Sequence, residues 1–73
     1  MVIGKTKKII EQKEKELYQY MSNNYKDEAL RCFKEYEELL RNLVSEGKLS
    51  QKDYDKFTPK IEGYRRTFKN YHH

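Results

Sequence analysis

The sequence predicts an all-α fold, a small antiparallel three-helix bundle. Three observations predict it. Apolar residues recur every three or four positions in three successive blocks. Turn-forming residues separate the blocks at Ser22-Asn23-Asn24 and at Gly47. The connections are short, which makes neighbouring helices antiparallel. The expected helices cover about residues 5–21, 25–46 and 50–71 of a single domain, residues 1–73.

The first helix rests on Ile3, Ile10 and Leu17, seven residues apart, with Ile9, Tyr20 and Met21 widening the stripe. Lys7–Glu11 and Glu11–Lys15 are opposite charges four apart on its polar side. Between Ile10 and Leu17 an apolar residue is expected at 13 or 14, and the chain has Lys13 and Glu14 there. The second helix is expected to start at an Asn24 N-cap, with Asp27 and Glu28 where the helix dipole favours acids. Its apolar face is Ala29, Phe33, Tyr36, Leu40, Leu43 and Val44, broadened by Leu30 and Leu39. Asp27–Arg31, Arg31–Glu35, Lys34–Glu38 and Glu37–Arg41 are opposite charges four apart. Gly47 is the expected stop, because glycine takes the left-handed conformation cheaply.

The third helix starts at Ser50, with Asp53 three residues on as in a capping box and Leu49 and Tyr54 placed as a hydrophobic staple. Tyr54, Phe57, Ile61, Tyr64, Phe68 and Tyr71 then form one heptad seam. Pro59 falls inside it and deprives residue 55 of its hydrogen bond. Either the helix kinks at Pro59, or it breaks and Thr58 caps a new helix with Pro59 at its first position. The unbroken seam favours the kink.

Composition narrows the function classes. The chain is 38% charged and 36% hydrophobic, a balance that tends to disorder. The regular spacing of large apolar residues, with seven Tyr and three Phe, argues for a packed core instead. At 73 residues that core is marginal and invites a partner. Cys32 is the one cysteine, so a disulfide is available only between chains, and a reducing compartment fits. The N-terminal residues lack the apolar run of a signal peptide, and no segment reaches the length of a membrane span. A cytoplasmic protein with no membrane contact is expected. The net charge of +4 is spread as +2 over residues 1–24, −1 over 25–48 and +3 over 49–73.

Residues 39–64 read Leu-Leu-Arg-Asn-Leu-Val-Ser-Glu-Gly-Lys-Leu-Ser-Gln-Lys-Asp-Tyr and onward to Tyr64. This third of the chain resembles the SHOCT domain, a short helical hairpin. That pattern has leucines before an acid-Gly stop, then an apolar residue, Ser or Thr, a few polar residues and an aromatic. Leu40, Leu43, Gly47, Leu49, Ser50 and Tyr54 match it, and Pro59 departs from it. The resemblance implies an oligomerisation or protein-contact role without catalytic residues. In general character the chain is also similar to small helical proteins of bacteria and their mobile elements.

Catalytic chemistry finds little support. His72 and His73 sit at the C-terminus, and Cys32 has no histidine near it in sequence to activate it. Cys32 lies one turn from Ala29 and Tyr36 and reads as a structural thiol. No metal-ligand spacing or phosphate-binding glycine loop is present, so no metal and no cofactor are expected. Glu35, Glu37 and Glu38 read as a solvated face with basic partners four residues away.

Two surfaces remain as candidates. Lys52, Lys56 and Lys60 line up four apart, and Arg65, Arg66 and Lys69 extend the positive character. They suit a phosphate backbone or an acidic protein, or they form an ordinary surface diluted by Asp53, Asp55 and Glu62. Tyr18, Tyr20, Tyr25 and Tyr71 are candidate contact residues, since tyrosine buries much area and keeps a polar tip. Pro59 and Gly63, four apart, leave a low surface on the outer face of the third helix. The expected function is a non-enzymatic protein–protein interaction module, an adaptor, inhibitor or self-associating protein whose partner is another protein or a second copy in a homodimer. The alternative is a nucleic-acid-binding accessory protein using the six basic residues.

Overall fold

A computed structural model describes residues 4–69. Three helices form a bundle: α1 (Gly4–Ser22), α2 (Lys26–Ser45) and α3 (Gln51–Lys69). No described helix is long and apolar enough to cross a membrane. Ile3, Tyr71, His72 and His73, singled out above, lie outside the described residues.

The core follows the apolar stripes. Ile10 and Leu17 of α1, Ala29, Cys32, Phe33, Tyr36, Leu40 and Leu43 of α2, Leu49 of the second turn, and Ile61 and Phe68 of α3 are buried together. Each large aliphatic or aromatic side chain taken fully out of water contributes about 1.5–3 kcal/mol. Ile9 departs from expectation and is 46% exposed. Its neighbour Thr6, four residues before Ile10, takes the buried place instead.

Both turns close with the same backbone device. At the end of α1, Asn24 takes a left-handed φ of 59°. Its N–H donates to Met21 O at 3.2 Å, and the Tyr25 N–H donates to Tyr20 O at 2.9 Å. At the end of α2, Gly47 has φ 76°, its N–H donates to Val44 O at 3.1 Å, and the Lys48 N–H donates to Leu43 O at 2.9 Å. These are paired Schellman bonds, which satisfy carbonyls that a helix end leaves open. Asn24 therefore ends α1 and does not cap α2. The capping position of α2 is Tyr25, which makes no side-chain cap bond. At α3 the expected cap forms, with the Asp53 N–H donating to Ser50 Oγ at 3.1 Å.

Pro59 neither breaks α3 nor starts a new helix, since α3 is continuous from Gln51 to Lys69 with Pro59 inside. Pro59 and Asp55 are both exposed, so water reaches the carbonyl that the missing N–H leaves open. α1 and α2 run antiparallel, as do α2 and α3. α1 and α3 are parallel to each other, and no Cα of one comes within 8 Å of the other.

Candidate interaction surfaces

The gap in the α1 stripe at Lys13 and Glu14 is filled by polar contacts across helices. Lys13 Nζ donates to Glu35 Oε1 at 3.0 Å. Tyr36 is fully buried, and its hydroxyl donates to Glu14 Oε2 at 2.7 Å. The same carboxylate oxygen receives Lys60 Nζ at 3.3 Å from α3. Glu14 thus joins all three helices. Burial, and then the hydrogen bond to the Glu14 carboxylate, push the Tyr36 pKa up, so the hydroxyl remains a donor. The Glu35 hydrogen bond raises the Lys13 pKa against a smaller opposing effect of burial.

These contacts take up much of the basic stripe. Lys60 is held by Glu14, Arg65 by Glu37, and Lys56 lies 3.7 Å from Asp53. Lys52, Arg66 and Lys69 are exposed and have no ion-pair partner among the described residues. None of the four charge pairs expected along α2 closes. Glu35 and Glu37 reach α1 and α3 instead, because facing helices offer lysine and arginine at closer range. Glu35 and Glu37 are therefore more structural than the sequence indicated, and partners on other helices leave no trace in a spacing rule.

The tyrosines separate. Tyr18 is 67% and Tyr25 55% exposed, whereas Tyr20 is half-buried. The Tyr20 and Tyr25 rings meet at 6.4 Å between centroids. They occupy the two positions of a Schellman turn where an apolar contact commonly forms. Pro59 and Gly63 are exposed on the outer face of α3 as expected. A Cβ added at Gly63 would meet nothing within 4 Å.

One cluster was not foreseen. Glu16, Cys32 and Glu35 each bring a ligand atom within 4.8 Å of the others. The Lys13 ammonium lies among them, 3.0 Å from Glu35 and 3.9 Å from Glu16. A second cation there would meet that charge. Burial pushes the buried Cys32 thiol up from its ordinary pKa, which also opposes a metal-bound thiolate or a nucleophile. Two open clefts flank the helices. One, of about 450 Å³, separates α1 from α3 and is lined by Glu11, Glu14, Lys56 and Lys60 over Ile10 and Phe57. The other, of about 680 Å³, runs along the α1–α2 groove over Ile9 and Leu39.

Comparison with protein-family models, with curated proteins and with solved structures gives no significant match for this chain.

Proposed function

We propose that this chain is a non-enzymatic protein–protein interaction module that associates with another protein or with a second copy of itself. The observation that carries this reading is the fate of the basic stripe. Lys56, Lys60 and Arg65 are engaged by the chain's own acids, while Tyr18 and Tyr25 stand exposed. Large exposed side chains with polar tips suit a protein contact. The SHOCT-like pattern of residues 39–64 points the same way. A single buried, unpaired thiol fits a cytoplasmic setting.

Nucleic-acid binding is the second reading, favoured by Lys52, Arg66 and Lys69, which are exposed and have no ion-pair partner among the described residues. Three phosphate contacts give a slope of only about −2.7 in log affinity against log salt on duplex DNA. Light scattering at low and high salt, beside a duplex-DNA titration, separates the two. A dimer that persists at both salts and weakens in Tyr18→Ser or Tyr25→Ser supports the module. A monomer that binds duplex DNA with a slope steeper than about −3 would overturn it.

A further inference from the structure

The apolar seam of α2 is Ala29, Phe33, Tyr36, Leu40 and Leu43, and that of α3 is Tyr54, Phe57, Ile61, Tyr64 and Phe68. Within each helix the alternating steps of four and three follow from facing one core. Between the helices nothing requires them to agree, because the turn reverses the chain and leaves the phase of α3 free. They do agree. From Leu43 the same steps land on Gly47 and Ser50, and then on Tyr54. One heptad register therefore runs unbroken from Ala29 to Phe68, and its two positions in the turn, Gly47 and Ser50, carry with Ala29 the three smallest side chains in it.

We infer that this chain dimerises by exchanging α3 with a second copy, hinged at Gly47; the inference rests on the self-association reading above and names its geometry. If residue 47 leaves its left-handed φ of 76° for a helical value, residues 26–69 become one helix carrying one continuous seam. α3 then reaches the α2 of the second copy. The contacts to be remade are Phe33–Phe68, Tyr36–Tyr64 and Glu37–Arg65. They are antiparallel and centred near residue 50, so the twofold axis crosses the two long helices around Gly47 and Ser50. Small side chains there let the backbones approach. The separation of α3 from α1, bridged by Lys60 and Glu14, leaves little to break on that side. Leu49 and Ser50 oppose the change. Leu49 is 2% exposed in the turn and would rotate away from the seam, and the bond from the Asp53 N–H to Ser50 Oγ would be lost. The exchange is therefore driven by concentration.

Gly47→Ala tests the hinge without a steric side effect, because a Cβ there meets nothing within 4 Å. Alanine disfavours the left-handed conformation about fivefold or more, and a dimer has two hinges, so its association constant should rise about 25-fold or more. Gly47→Asn, which tolerates that conformation, should rise less. Sedimentation equilibrium from micromolar to millimolar reads both against the unsubstituted chain. In a mixture of isotope-labelled and unlabelled chains, filtered nuclear Overhauser spectra should show Phe33–Phe68 contacts between chains. A dimer without those contacts overturns the exchange and leaves self-association standing. Chains that remain monomeric at millimolar concentration, with and without the substitutions, overturn both.

Discussion

The two faces of α2 are built differently. Towards α1 the side-chain bonds are polar: Cys32 Sγ lies 4.0 Å from Lys13 O, and Lys13 and Glu14 cross to Glu35 and Tyr36, beside the buried Ile10 and Leu17. Towards α3 it is aromatic. Phe33 meets the Phe68 ring at 5.3 Å and the Tyr64 ring at 6.0 Å, and Tyr36 meets Tyr64 edge-on at 5.9 Å. The first face depends on directional bonds that fix register. The second depends mostly on ring area, with Arg65 on Glu37 as its charged contact. Tyr36 belongs to both, with its ring on α3 and its hydroxyl on α1, so the two faces are coupled through one side chain.

The largest expected effect comes from Phe33→Ala, which removes the ring shared by two of the three contacts. The loss should be about 3–5 kcal/mol, and each kcal/mol lowers Tm by about 4–8 °C in a domain of this size. Thermal unfolding followed by circular dichroism measures it. A loss under about 1 kcal/mol would mean that the aromatic face is not what holds α3.

Tyr36→Phe keeps the ring and removes the hydroxyl, so it tests the α1 face alone. Loss of a hydrogen bond to a carboxylate should cost about 1.5–3 kcal/mol at neutral pH. The pH dependence gives a second reading. Because the folded protein holds the Tyr36 pKa above its ordinary value, its contribution is fully present below about pH 10 and is lost as pH rises beyond that. Burial also raises the Tyr64 pKa. Denaturant melts between pH 8 and 11.5 should show stability falling on the alkaline side, and less steeply in Tyr36→Phe, with a residual fall from Tyr64. Equal slopes in both proteins would remove Tyr36 from the coupling.

The aromatic face was legible in the sequence and the polar one was not. Phe33, Tyr36, Tyr64 and Phe68 declare themselves by period alone, and Gly47 and Ser50 declare the second turn by their turn and capping chemistry. Lys13 and Glu14 registered only as a flaw in a stripe. Their partners Glu35, Tyr36 and Lys60 lie on other helices, and helix register against helix is not written in spacing along one of them. The same blindness misassigned Glu35 and Glu37 to pairs within α2. Asn24 was misread because asparagine serves equally as an N-cap and as a left-handed terminator, and the choice depends on where the preceding helix stops. Of the surface candidates, the sequence identified the basic residues, but only the packing shows that Lys56, Lys60 and Arg65 are engaged.

The smallest effects concern how each face begins, at the two turns. α3 starts on Ser50, whose hydroxyl accepts the Asp53 N–H. α2 starts on Tyr25, which offers no cap bond and leans its ring on Tyr20. Ser50→Ala should cost about 1 kcal/mol, the usual worth of a serine cap, and Ser50→Asp should restore most of it. Tyr25→Ala should cost about 0.5 kcal/mol, since more than half of that side chain is already in water. Denaturant midpoints of the three variants give the order directly. If Tyr25→Ala proves the costlier of the two alanine variants, the tyrosine pair secures the α1–α2 turn more firmly than a side-chain cap secures α3. The exposed Tyr25 would then have a structural reason for its place, and Tyr18 would be left as the exposed tyrosine of the described helices with contact as its remaining role.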